Sequence, residues 1–467
     1  WYSNEFNETW GRTGGQGCQE PMSDKEAYTN HVRILESTDA RVVVHWRYPL
    51  KDVLHVYANW NEESGWADWS DWTFTIYPDG VAAKRMRLWT DGPRNHEWHE
   101  AMAILGPNQH PETVIETEPA LILADLEGNA DTYSWKDGPP QGVDYRDKKI
   151  HVVNYRSSLD PFTIGDFTGG DVYGGEVTDY AVFPSWNHWP VAQVPSDGRY
   201  SRFPDRTAHS SLTHVSLPDH AASLGERPYQ EKLLLEGLSD ATPAELAVLA
   251  RSWLRAPELT GLAGGRGGHY QPAERAYVLA AGSAQLTFRI EASRARPILN
   301  PCFVVLDWGG DHPATVEVDG EEREAGPDLR QGVVRDPAGL HKLVVWMRLE
   351  ASETTELRIV GARPTLAGGD LGPLQWERLP ALVESGSTAA MAVRALPSRL
   401  GATYRFERVG SGAGGGTWSE ATEHVEVGLA PETTYQFRVQ ARDRYFLETE
   451  WLEAPPLRTP AAPPPLV

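Results

Sequence analysis

Cysteine is nearly absent from this 467-residue chain: Cys18 and Cys302 are the only two. So far apart, they either pair or lie buried as separate thiols, and they do not fix a redox compartment. Long apolar runs are missing as well. None approaches the roughly 18 residues that cross a bilayer, so no membrane partner is expected. Positive charge is scarce, with 43 Lys and Arg against 65 Asp and Glu and a net charge of -22. A surface of that sign disfavours nucleic acid and anionic lipid, and a polyanionic ligand needs a locally basic cleft. The sequence also has no glycine-rich phosphate loop, GxSxG elbow, HExxH or CxxC pair. That argues against nucleotide enzymes, α/β-hydrolases and the common zinc sites. It opens on WYSNEF without a Met or a signal-like apolar segment, as expected of a processed or trimmed product.

What the chain has in excess is tryptophan, 18 residues, beside 17 Tyr. Large aromatics fill cores, and their flat faces also hold sugar rings. Most segments read as strands: RVVVHWRYPL (41–50), WTFTIYPDG (72–80), ALILADLEG (120–128), KIHVVNYR (149–156) and YAVFPSW (180–186) are short, β-branched or aromatic, and bounded by turn residues. Pro78-Asp79-Gly80 predicts a hairpin turn. One helix is expected, from the capping box Thr242-Pro243-Ala244-Glu245 followed by Leu246, Leu249, Ala250, Trp253 and Leu254 at helical spacing.

The expected fold is all-β: a large antiparallel β-sandwich over 1–256, of supersandwich type, then a small β-sandwich over 270–365 and a third unit over 374–460. The glycine-rich TGLAGGRGGH (260–269) marks the first boundary and GARPTLAGGDLGP (361–373) the second. In the third unit, Trp376, the TYRFERV strand (403–409) and the run from Leu429 to Val439 resemble a fibronectin type III domain. Tyr435 fits the corner in which a tyrosine hydroxyl returns to upstream backbone. The TPAAPPPLV tail reads as extended linker.

Charge reverses sign in one stretch. SWNHWPVAQVPSDGRY and its continuation to residue 214 hold Arg199, Arg202, Arg206, His188, His209 and His214 against only Asp197 and Asp205. Trp186 and Trp189 flank Asn187 and His188, and Tyr200 follows Arg199. These are the residue types that β-elimination of a uronate polysaccharide needs. One group neutralises the carboxylate so that the C5 proton becomes removable; a His or Tyr takes that proton and another protonates the leaving oxygen. Asn187 and Arg199 suit the first role, His188 and Tyr200 the second. Trp186, Trp189, Arg202 and Arg206 are candidates for binding. The plainer alternative is a long loop pinned by its own hydrogen bonds. Upstream, alternation places His45 and Arg47 on one strand face. They meet either a carboxylate of a neighbouring strand or an anionic sugar group, and His31-Val32-Arg33 repeats the pattern on what is expected to be an adjacent strand.

EPMSDKEAYTNHVRILESTDARVVVHWRY, TIYPDGVAAKR and FPSWNHWPVAQVPSDGRYSRFPDRTAHSSLTH together resemble secreted bacterial β-sandwich polysaccharide lyases acting on ulvan, a sulfated rhamnose–uronate polymer. The resemblance covers about residues 20–350. It implies an acidic polysaccharide substrate, lytic cleavage, a secreted, periplasmic or cell-surface location, no required cofactor and a monomeric protein. The abrupt start of the chain departs from a complete secreted precursor.

Two other function classes remain open. A glycoside hydrolase needs two carboxylic acids about 5–10 Å apart; Asp68, Asp71, Asp171, Glu176 and Asp179 are candidates, although WADWSDW reads as a surface loop whose aspartates make turns. A carbohydrate-binding protein of three β-units fits the tryptophans as well. Neither cysteine sits in a Cys-x-Pro-x-Arg context, which argues against a formylglycine sulfatase. His96 and His99 would point to opposite faces of a strand, a weak metal signal. Asp166 and Asp171, around the glycines of FTGGDVYGGE, are candidates for a structural calcium ion.

Overall fold

Strict alternation in segments such as Val42–Pro49 and Val81–Trp89 sends successive side chains to opposite faces, so each strand offers an apolar side to a core and a polar side to its surroundings. The computed structural model describes residues 5–6, 19–20, 24, 27–52, 54–90, 96–97, 99–172, 208–218, 220–224, 227–336, 339–364, 371, 373–383, 387–396, 401–410, 418–443 and 448–461. The fold is nearly all β. Eight strands position the candidate site: β1 (His31–Ser37), β2 (Val42–Pro49), β3 (Trp69–Ile76), β4 (Val81–Trp89), β5 (His99–Leu105), β6 (Gly169–Val172), β7 (Ala208–Ser216) and β8 (Arg227–Ser239).

A ten-stranded antiparallel sheet runs β1-β2-β3-β4-β8 and continues through Asp160–Ile164, Ile150–Val153, Leu121–Ala124 and Ala130–Tyr133, with His220–Leu224 as the tenth strand paired to the start of β8. Its inner face packs on the three-stranded sheet β6-β7-β5. Tyr48, Trp72, Met86 and Leu88 from the large sheet share that core with Ala101, Ala103, Leu105 and Val215 from the small one. The hairpin forms at Pro78-Asp79-Gly80 as expected, with Gly80 N–H donating to the Tyr77 carbonyl at 3.0 Å. The helix α1 (Pro243–Leu254) starts on the predicted capping box: Thr242 accepts from the Glu245 N–H and Glu245 accepts from the Thr242 N–H. Its apolar side closes a second core over Phe162, Ile164 and Leu235.

Two five-stranded sheets follow, drawn from strands between Glu258 and Val360. One pair is parallel, Ala276–Ala281 beside Cys302–Leu306. The glycine-rich run expected to mark a boundary instead forms two strands, Glu258–Ala263 and Gly265–Gln271. Close backbone approach explains its composition. A Cβ on Gly264 would sit 1.9 Å from the Gln285 carbonyl oxygen, and φ there is +78°.

The first and second units are joined by buried charge rather than by a free linker. The Arg41 guanidinium donates to Glu36 at 2.8 and 3.1 Å and to Glu274 at 2.9 Å, while Lys342 reaches Glu36 at 2.7 Å. Tyr77 donates to the Glu274 carbonyl, and Arg275 meets Asp79 at 2.8 Å. Ala40 and Tyr77 complete an apolar cluster with Val278, Cys302, Val304 and Trp346. Cys302 is a free, buried thiol; Cys18 lies outside the described residues.

The third unit pairs Trp376–Leu382, Ala389–Val393 and Glu423–Glu426 in one sheet and Ala402–Arg408, Phe437–Asp443 and Leu452–Glu453 in another, around Met391, Phe406, Phe437 and Val439. The tyrosine corner is present: the Ala430 N–H donates to the Tyr435 hydroxyl at 2.8 Å. Tyr435→Phe is therefore expected to cost about 1 kcal/mol, measured by chemical unfolding, and no loss would remove the corner from the stabilising contacts. Two indoles here alternate with three guanidiniums: Trp418 lies against Arg442 and Arg405, and Trp451 against Arg405 and Arg438. Tryptophan thus serves several ends. Trp72, Trp135, Trp308 and Trp346 fill cores, Trp418 and Trp451 clamp strands, and others face outward.

Candidate functional site

Cross-strand register builds a polar face on the outer side of the ten-stranded sheet. His31 pairs with Arg47 and Arg33 with His45, so the two His/Arg motifs lie side by side as their sequence pattern predicts. Arg47 is opposite Asp71, Asp71 opposite Arg87, and Arg87 opposite Glu231. Directly opposed residues share a face. The result is a polar row across five strands in which the charge alternates over the last four, with Arg33, His45, Thr73 and Arg85 forming the next row.

Asp71 is the hub. Its carboxylate lies 2.8 Å from His45 Nε2, accepts from Arg47 at 3.0 Å and accepts from the Trp89 indole N–H at 2.6 Å. The His45 and Arg47 pair therefore meets a neighbouring strand's carboxylate, and both side chains remain part-exposed. This overturns the reading of WADWSDW as a surface loop of turn-making aspartates. Asp71 is in β3, where alternation points it to the outer face, and Asp68 is 1% exposed and accepts from Asn59 at 2.8 Å. Neither carboxylate has the setting of a hydrolase acid pair: one is committed to three donors and the other is buried.

Aromatic rings border the charged row. Trp69 pairs with Trp89 and Trp89 with Tyr229, whose ring centroids lie 5.0 Å apart. The Arg47 guanidinium lies 5.1 Å from the Trp69 ring, and that of Arg87 lies 4.2 Å from Tyr229. Stacking on a ring holds a guanidinium in place; here Arg87 also gives its Nε and Nη2 to Glu231 and Arg47 its Nη1 to Asp71, so only their remaining N–H groups are left to meet an anion. Arg442 of the third unit lies within electrostatic reach of Tyr229 and Glu231; burial lowers its pKa to about 10 against the opposing pull of nearby carboxylates. Sequence reasoning missed Arg85, Arg87, Trp89 and Tyr229. The alternation of KRMRLW was the signal available for Arg85 and Arg87, but Glu231, the partner of Arg87, is 144 residues away in the chain and only folding pairs them.

A second polar group lies between the sheets. The Lys84 ammonium is fully buried, 3.8 Å from Glu236 and 3.8 Å from the centre of the Trp72 ring. Burial pushes its pKa well below the usual lysine value, against the pull of Glu236. His99 lies 3.0 Å from the Thr163 hydroxyl and edge-on to His151. Burial drives His99 well below the usual histidine pKa and lowers His151 to about 3. Both rings are therefore neutral at neutral pH. On the adjoining small sheet, His214 Nε2 is 3.3 Å from Asp171, and His214 also sits opposite Glu100 in the register.

Asn187, His188, Arg199 and Tyr200, with Trp186, Trp189, Arg202 and Arg206, lie outside the described residues, as do Glu176 and Asp179. Asp166 pairs with Lys149 and Asp171 with His214. Among the described residues no group of three or more His, Cys, Asp and Glu is placed to hold a metal ion, and no helix is long and apolar enough to cross a membrane.

No protein-family model matches the chain, and none of the curated proteins matches it. Among solved structures it is similar to the third fibronectin III domain of the human KIAA0343 protein, at 14% identity and a TM-score of 0.16, over 21% of this chain and 93% of that one. It is also similar to the FN1–FN3 domains of chicken CNTN1, at 11% identity and 0.17, over 67% and 98% of the two chains. A β-1,2-glucanase from Parabacteroides distasonis matches at 9% identity and 0.14, over 38% of this chain and 31% of the enzyme. Similarity at these levels carries no argument about activity.

Proposed function

We propose that the protein binds an acidic, uronate-containing polysaccharide of the ulvan type and cleaves it by β-elimination. One observation supports the substrate class above all: in a chain of net charge -22, Arg33, His45, Arg47, Arg85 and Arg87 outnumber Asp71 and Glu231 on one sheet face beside Trp69, Trp89 and Tyr229. Guanidinium edges suit carboxylate and sulfate groups, and aromatic plates suit sugar rings.

In this reading Arg47 binds a carboxylate or sulfate group of the polymer away from the reacting sugar. The residue types at Asn187 and Arg199 supply the neutralisation of the reacting uronate, and those at His188 and Tyr200 the base and the acid. The base removes the C5 proton, the electron pair forms the C4–C5 double bond, and the C4–O bond breaks as its oxygen gains a proton. Exposed guanidinium contacts contribute through binding, so Arg47→Ala is expected to raise KM about tenfold, the equivalent of roughly 1.5 kcal/mol for a charge-assisted hydrogen bond.

The test is incubation with ulvan, polygalacturonate, alginate and heparin while following the ultraviolet absorbance of the unsaturated uronate product. Rising absorbance is the expected result. New reducing ends without absorbance mean hydrolysis, and retention by a polysaccharide with neither signal means a binding protein; each of these outcomes overturns the lyase assignment.

A further inference from the structure

The segment joining β2 to β3 is a pinned hairpin whose aromatic residues the cationic face does not use. Trp60 is 53% and Trp66 41% exposed, and the Tyr57 ring lies 5.7 Å from that of Trp60. Exposure on a floppy loop would mean little. This loop is held at every level. The Asn61 N–H donates to the Trp66 carbonyl at 2.8 Å and Gly65 N–H to the Asn61 carbonyl at 2.9 Å. The Asn61 side chain accepts from Glu63 and Ser64 at 3.0 and 2.9 Å. At the base, Ala58 donates to Leu50, Asp68 to Ala58 and Leu50 to Asp68, and Asp68 also accepts from the Asn59 side chain. Rigid indole and phenol groups offer contact area at little entropic cost on binding.

The charge around these rings selects the ligand. No Lys or Arg occurs between Lys51 and Lys84, and Glu62 and Glu63 stand exposed at the tip. Carboxylates there repel an anionic sugar and accept hydrogen bonds from hydroxyl groups. Three residues past Trp66 the chain reaches Trp69, the first of the aromatic row beside Arg47.

We infer that Tyr57, Trp60 and Trp66 form a stacking subsite for an uncharged pyranose ring, adjoining the cationic face that takes the charged sugars. This subsite rests on the reading of the ligand as a polysaccharide. It divides recognition in two: a salt-sensitive anionic part on the sheet and a salt-insensitive stacking part on the hairpin.

Affinity electrophoresis in gels containing ulvan or polygalacturonate, at low and high salt, tests it. Ulvan is expected to retard the wild type at both salt levels, whereas polygalacturonate loses its hold at high salt. The double substitution W60A/W66A is expected to weaken binding to ulvan at high salt about tenfold, as for other aromatic anchors, without altering retention by polygalacturonate at low salt. W60F/W66F keeps the rings and is expected to keep most of the retention, and thermal melting checks that each variant is folded. Equal retention of wild type and W60A/W66A in ulvan at both salt levels overturns the subsite alone. A wild type that no acidic polymer retards overturns the polysaccharide reading and the subsite with it.

Discussion

Replacing Arg41 with alanine is expected to destabilise the protein by about 3–5 kcal/mol, the loss seen when one partner is taken from a buried ion pair. Arg41 is almost fully buried and donates both to buried Glu36 and to Glu274, whose side chain is 38% exposed, so its removal takes from Glu36 one of its two cations and from Glu274 its ion-pair partner in the joint between the first and second units. Lys342 still reaches Glu36, but no other cation is paired with Glu274 among the described residues. The surroundings give little room for relaxation, since Thr38 packs so closely on Gly332 that a Cβ there would fall 2.3 Å from it. Urea unfolding of wild type and R41A measures the difference. The variant is also expected to separate one cooperative transition into two, because this cluster ties the units together. A loss below about 1 kcal/mol with a single transition would show that the apolar contacts around Tyr77 and Trp346 hold the joint unaided.

The same cluster sets the response to acid. Burial by itself raises the Glu36 and Glu274 carboxyls, but the charges of Arg41 and Lys342 outweigh it and hold both below the usual glutamate value. A carboxyl whose folded pKa is depressed adds stability that is complete above its unfolded pKa of about 4.3 and disappears as pH falls through the lower folded value. Wild type is therefore expected to lose stability below about pH 4 more steeply than R41A, in which that linkage is largely gone.

Much of the architecture could be read from local pattern because local pattern caused it. The Tyr77–Val81 hairpin, the Thr242 capping box and the Tyr435 corner each depend on residues within a few positions of one another, and each formed as its sequence implies. His31 and Arg33 came to lie beside Arg47 and His45 for the same reason: a short connection makes adjacent strands neighbours. What escaped depends on distant partners. Lys84 alternates inward with Met86 and Leu88, but that its charge ends up against Trp72 and Glu236 follows from β8, some 150 residues on. Asp71 looked like a turn residue because aspartate is common in turns. Its committed role appears only once His45, Arg47 and Trp89 converge on it. The glycines of 260–269 misled in the opposite direction, since close strand packing requires them as strictly as a linker would.

Substituting His188 by alanine or Tyr200 by phenylalanine is expected to lower kcat for elimination by about 10²–10⁴, the usual contribution of a positioned acid or base. KM is expected to change little, because neither group is asked to carry the binding. The contrast with Arg47→Ala separates roles: a guanidinium on the sheet face changes KM, whereas a proton-transfer group changes kcat. H45A falls between these. Asp71 keeps its contacts with Arg47 and Trp89, so loss of His45 alters the charge of the face without collapsing it and is expected to weaken binding rather than chemistry. Steady-state kinetics on ulvan, read by product absorbance, resolves all four variants. Full turnover in both H188A and Y200F would remove those residues from the chemistry. If H45A then lost kcat instead, the base would be the half-exposed imidazole held by Asp71 and the catalytic centre would move onto the outer face of the ten-stranded sheet.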